Sequence, residues 1–201
     1  LRLRSVLGRR TGNERRRDSL MRRAEAIPDK VVTLPQRPTG TPPPAAAAVP
    51  ADAIAAGVAR IRAADPDFDP ARFLEGARGA FDIIVAGFAA GDKNRLRPLL
   101  SDEVFTSFAG AIDERIAAKE TLETRILRLK SIDIAEAGQI ARTARITIRL
   151  VSEQINVVRA HDGSIVDGDP DHPIEKTDFW TFVRDTGSAD PNWVLVATGS
   201  G

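Results

Sequence analysis

The chain has 201 residues, 42% hydrophobic and 28% charged, with a net charge of +1 and no cysteine. That composition suits one globular domain with additional segments. It excludes a disulfide framework, a thiol nucleophile and a cysteine-based zinc site, and no run of ~18 apolar residues is present to form a transmembrane helix.

The near-neutral total hides an asymmetry. Residues 1–23 carry nine Arg against Glu14 and Asp18, a net of +7, which leaves −6 on the remainder. In this basic arm, taken as residues 1–27, Arg2, Arg4, Arg9, Arg10, Arg15, Arg16 and Arg17 are interspersed with Leu1, Leu3, Val6 and Leu7. Two readings stand: a short helix lying on an anionic surface, or a solvated arm held open by like-charge repulsion. No aromatic residue interleaves Arg15-Arg16-Arg17, which disfavours single-stranded nucleic acid and suits lipid phosphate better. The sequence opens at Leu1 rather than Met and reads as a fragment or processed product. An apolar segment before such an arm would place the arm on the cytoplasmic flank of a membrane anchor.

Residues 28–50 hold Pro28, Pro35, Pro38, Pro42, Pro43, Pro44 and Pro50 around an Ala run. So many missing N–H donors forbid helix or sheet, and the stretch reads as a semi-extended spacer reaching at most roughly 70 Å at ~3.1 Å per residue.

Residues 51–201 form the domain. Ile54, Val58 and Ile61 give a short amphipathic helix that packs or docks on the domain and stops at Asp65-Pro66. Asp69-Pro70 starts a second helix, with Phe73, Ala77, Phe81, Ile84 and Phe88 on one stripe and Gly91 closing it. A brief turn or helix ends near Pro98. Ser101 then caps a further helix whose inward residues are Val104, Phe105, Phe108, Ala111 and Ile112. From about Glu123 the period becomes two. Thr124, Ile126 and Leu127 through Ile134 make one strand, and Ala144–Leu150, with Ile146 and Ile148 on one face, makes the next. That strand continues through a bulge near 151–154 to Val158. Asp162-Gly163 turns a hairpin, and Trp180 and Phe182 lie on a strand paired with the Trp193–Thr198 segment. Helices followed by antiparallel strands imply an α+β domain, N-terminal helices covering a curved sheet of about four strands. The Trp180 hairpin is its expected wall, with the three Phe of the second helix and Phe105 and Phe108 packed against it.

Asp167, Asp169 and Asp171 alternate as at the start of a calcium loop, but His172 stands where such a loop needs Gly, so the stretch reads as a turn and no metal site is expected. His161 and His172 lie in loops without a carboxylate orienter. Asp178 and Glu153 are the carboxylates embedded in the strand region, without a partner constellation for catalysis. Neither a cofactor nor a small-molecule substrate is called for.

Several segments together resemble the Tim-forty-four-like domain: Phe68-Asp69-Pro70, Phe73–Phe81, Phe88–Asp92, Leu96–Leu100, Ala144–Glu153, Asp178–Phe182 and Pro191–Thr198. Leu3–Gly12 resembles the arm of the α-proteobacterial members. The resemblance implies a cystatin-like, nuclear-transport-factor-two-like fold with a large apolar pocket, a transmembrane segment just before Leu1, and an adaptor on the cytoplasmic face of the inner membrane. It implies anionic lipid and a protein partner in translocation or membrane-complex assembly, with no enzyme activity. The family's mitochondrial import member has a long charged, chaperone-engaging N-terminal region, which the short Pro/Ala spacer replaces here. Two rival readings remain: a pocket-based lipid or small-ligand carrier or enzyme of the same fold, and a ribosome-docking factor, the one route by which nucleic acid would enter.

Overall fold

A computed structural model of the chain describes residues 34–35 and 49–201. The arm, with all seven of its candidate lipid-binding Arg, lies outside the described residues, as does most of the 28–50 spacer. The described elements run α1 (Ala51–Ala64), α2 (Pro70–Ala90), α3 (Lys93–Leu96), α4 (Asp102–Ala117), β1 (Thr121–Ile140), β2 (Thr143–Arg159), β3 (Ile165–Gly168), β4 (Ile174–Asp185) and β5 (Val194–Ser200).

Local chemistry sets the helix ends. The Asp69 carboxylate accepts from the Arg72 N–H and Pro70 takes the first helical position, while Gly91 closes α2 with φ 71°, the left-handed conformation that glycine adopts without steric cost. Asp92 caps α3 through the Arg95 N–H, and Ser101 caps α4 through the Val104 N–H. Arg115 does more than favour the end of its own helix. It crosses to donate to the Phe88 and Ala89 carbonyls at 2.7 and 3.1 Å, satisfying the C-terminus of α2 while its guanidinium lies over the Phe88 ring. Burial there lowers its pKa from the ordinary arginine value.

All strand pairings are antiparallel, in the order β1-β2-β4-β5, with the short β3 added to β2 beyond the end of β4. Among the described residues the sheet therefore has the expected path of about four strands, β1-β2-β4-β5, plus the short β3. β1 runs past its expected end at Ile134 to Ile140, and three register shifts, at Ile126/Arg128, Leu129/Ser131 and Ile134/Glu136, each insert an extra residue within it. Between them Ile126, Leu129, Ile132, Ile134 and Ala137 all return to the core face. Leu127, expected in the strand's apolar pattern, is one of the inserted residues and is 45% exposed. The irregularity expected in β2 near 151–154 thus belongs to its partner, since β2 pairs with β4 without a break from Thr143 to Gln154. Bulges on one strand bend and twist the sheet, and the concave side receives α2 and α4. α1 packs on β1, so close that a Cβ built on Gly57 would overlap the Ala137 carbonyl.

Candidate functional site

The sheet's concave side divides along its strands into an apolar end and a polar end. At the apolar end Ile146 and Ile148 of β2 stand opposite Phe182 and Trp180 of β4, and Phe81 of α2 meets the Trp180 ring at 5.1 Å. Phe73 reaches Phe182 edge-on at 6.0 Å, and Phe88 meets Phe108 at 5.2 Å. Phe81, Phe108, Ile146, Ile148 and Trp180 are essentially inaccessible to solvent. The interior is therefore filled by its own side chains, and the large apolar pocket implied by the resemblance is not open there. Of the ten expected wall residues, the structure gathers Phe73, Phe81, Phe88, Phe108, Ile146, Ile148, Trp180 and Phe182 into one buried cluster, while Phe105 and Trp193 are half-buried at its margin. The Phe105 ring lies under the Arg97 guanidinium.

At the polar end the same strand face carries Ser152, Gln154 and Asn156 on β2 and Lys176 and Asp178 on β4, all buried. Lys176 Nζ lies 3.2 Å from Asp178 Oδ1, with 10% and 4% of the two side chains exposed, and the Ser200 hydroxyl donates to the same carboxylate oxygen at 3.2 Å. Burial pushes the Asp178 carboxyl above its ordinary value, opposed by the Lys176 charge and hydrogen bond and by Ser200. A cavity of about 20 Å³ lies between these groups and Phe81, Val85 and Phe88. That is room for about one water. Sequence reasoning singled out Asp178 but missed Lys176 and the three β2 polar residues. Their signal was a period-two run whose polar residues share the parity of Ile146 and Ile148, and so face the core.

The larger opening, about 480 Å³, is a groove at the opposite end, between the α1–α2 turn, α2 and the segment before β5. Its floor is aromatic: Trp193 packs on Phe73 at 4.7 Å and on Phe68 at 5.8 Å. Asp65, Asp67 and Asp69 line one rim. Asp65 is bound to Arg184 at 2.6 Å, which ties the end of α1 to β4. This is a surface suited to protein side chains: concave, apolar at its centre and polar at its edge.

Glu153 faces the convex side and pairs with Arg128 at 3.4 Å. Asp169 accepts from the Asp171 N–H and pairs with His172 Nδ1 at 2.8 Å, so His172, expected to lack a carboxylate partner, has one three residues back, within an exposed turn. Among the described residues no three His, Cys, Asp or Glu side chains converge on a metal position, and no helix is long and apolar enough to cross a membrane.

Comparison with known proteins gives this domain relatives. The family model described as Tim44-like domain matches residues 54–200. The human mitochondrial import inner membrane translocase subunit TIM44 is 26% identical over 130 residues, 63% of this chain and 28% of the human protein. A probable counterpart from Caenorhabditis elegans, tin-44, is 24% identical over 109 residues, covering 54% of this chain and 26% of its own. The chain thus spans little more than a quarter of the length of these relatives. Among solved structures, the intermembrane space region of the chloroplast protein ARC6 aligns with 63% of this chain and 95% of its own at 9% identity and a TM-score of 0.45.

Proposed function

The chain belongs to the Tim44-like domain family, and from that premise we propose that it is a non-catalytic, membrane-tethered adaptor. The basic arm holds anionic lipid at the cytoplasmic face of the inner membrane, and the α+β domain receives a protein partner in translocation or membrane-complex assembly. The observation that carries the reading is the separation of charge: a net of +7 within 23 residues, joined through a Pro-rich spacer to a remainder of net −6. Basic residues near an anionic leaflet contribute about 1 kcal/mol each, so such an arm holds a surface without a folded site. The names of the curated relatives, subunits of an inner-membrane import translocase, support the same assignment.

For the domain's half of the task, the groove between Trp193, Phe73 and Phe68 is the surface that best accepts a partner's apolar side chain. The carrier reading loses ground because the cone is filled by its own side chains and the cavity left with Leu34 in place, about 20 Å³, has no room for an acyl chain.

Flotation of the full chain with phosphatidylglycerol-containing vesicles tests the tether. Binding is expected to fall steeply between ~0.05 and ~0.5 M salt and to vanish on deletion of residues 1–23. Undiminished binding by the truncated chain would remove the arm from the account, and preference for ribosomal RNA over the vesicles would favour ribosome docking.

A further inference from the structure

We infer that the mouth of the cone, beside the polar end of the sheet, is a docking site for an extended Leu-Pro segment, and that its occupant is the chain's own spacer at Leu34–Pro35. Leu34 is half-buried, packs against the main apolar cluster and lines the small cavity beside Phe81, Val85 and Phe88. One residue on, the Pro35 carbonyl accepts a hydrogen bond from Thr198 Oγ1 at 2.8 Å, across 163 positions of sequence. Thr198 is itself buried, opposite Trp180 on the concave face.

The two contacts match what such a dipeptide offers. An apolar slot takes the leucine side chain and a hydroxyl donor takes the next carbonyl. Neither contact uses the N–H that proline lacks, and proline's fixed φ keeps the segment extended at low entropic cost. Leu34 and Pro35 lie well before residue 54, where the family match begins, so the latch lies outside the matched segment.

A latched spacer changes what the spacer can do. From Arg23 to Leu34 the chain reaches roughly 34 Å at ~3.1 Å per residue, and from Arg23 to Pro50 roughly 84 Å. Docking therefore shortens the tether between arm and domain by more than half. This consequence rests on the reading of the arm as a membrane anchor; the latch does not, and it is measurable without membrane.

Because the chain has no cysteine, Thr33→Cys and Arg78→Cys accept a pair of spin labels in the full chain without side reactions. Pulsed electron–electron resonance is expected to give one narrow distance distribution, broadened several-fold by Leu34→Asp while the thermal transition of the domain persists. Thr198→Val, which keeps the leucine slot, is expected to broaden it as well. A fluorescent peptide of residues 30–38 should bind the Leu34→Asp chain at least tenfold more tightly than the parent, whose site is already filled. A broad distribution in the parent, a narrow one that survives Leu34→Asp, or peptide binding no better in the variant would overturn the latch. A distance lost on mixing with excess unlabelled chain would assign the site to a second copy's spacer and overturn its intramolecular form.

Discussion

Replacing Lys176 by methionine isolates the buried ion pair at the polar end of the cone. Lys176 and Asp178 lie two apart on one strand and so share a face; their charged atoms are 3.2 Å apart, with 10% and 4% of the side chains exposed. Lys176→Met leaves the Asp178 carboxylate buried with the Ser200 hydroxyl but without its counter-charge. Removing one partner of a buried pair costs about 3–5 kcal/mol, and replacing both by apolar residues is close to neutral or stabilising. At roughly 2–4 °C per kcal/mol for a domain of this size, the single variant should melt about 6–20 °C lower, whereas Lys176→Met/Asp178→Leu should melt near the parent. The pH dependence has a definite sign. Burial already raises the Asp178 carboxyl above its unfolded value, so the folded state binds that proton more tightly than the unfolded chain. The resulting stabilisation is present below the unfolded value and lost as pH rises through the folded one. Without Lys176 the rise is larger, so the gap between Lys176→Met and the parent should narrow as pH falls into the carboxylate range. Circular-dichroism melts of the three proteins across that range decide the matter. A double variant as unstable as the single, or a gap that widens towards acid, would refute the reasoning.

Gly57→Ala should lower the melting temperature through a cost of about 1–3 kcal/mol, because the new Cβ meets the rigid Ala137 backbone rather than a movable side chain. Asp65→Ala removes the carboxylate that ties the end of α1 to Arg184; about 3 kcal/mol should be lost, and hydrogen exchange should accelerate in α1 before α2. Arg15→Gln, Arg16→Gln and Arg17→Gln combined should weaken binding to phosphatidylglycerol vesicles on the order of 100-fold, at about 1 kcal/mol per charge, with no change in the domain's melt.

The helical half of the fold was legible because its signals are local. Asp69-Pro70, Gly91 and Ser101 act within one turn of themselves, and the stripe from Phe73 to Phe88 repeats without interruption. β1 was legible only in part. Its core residues step by two or three positions wherever a bulge intervenes, so no single period describes them, and Leu127 looked like a core residue until the inserted position turned it outward. The candidate sites followed the same rule. Trp180 and its neighbours were found because large apolar residues at strand spacing have one physical explanation. Lys176, Ser152, Gln154 and Asn156 were missed because polar residues on a core face contradict the pattern that identifies the face. Nor did anything local mark Leu34 and Pro35: within a proline-rich spacer the leucine meets Phe81, Val85 and Phe88, and the Pro35 carbonyl meets Thr198 of β5, only through the folded chain.

The adaptor claim is tested most directly by a photo-crosslinking residue at Asn192, on the exposed rim of the groove, in the full chain bound to membranes of its own cell. A matched probe at Ile116, 60% exposed on α4 and outside the groove, serves as control. The account predicts a discrete protein adduct from Asn192, absent from Ile116 and lost when residues 1–23 are deleted. Adducts of equal yield from both positions, or an Asn192 adduct unaffected by the deletion, would contradict it.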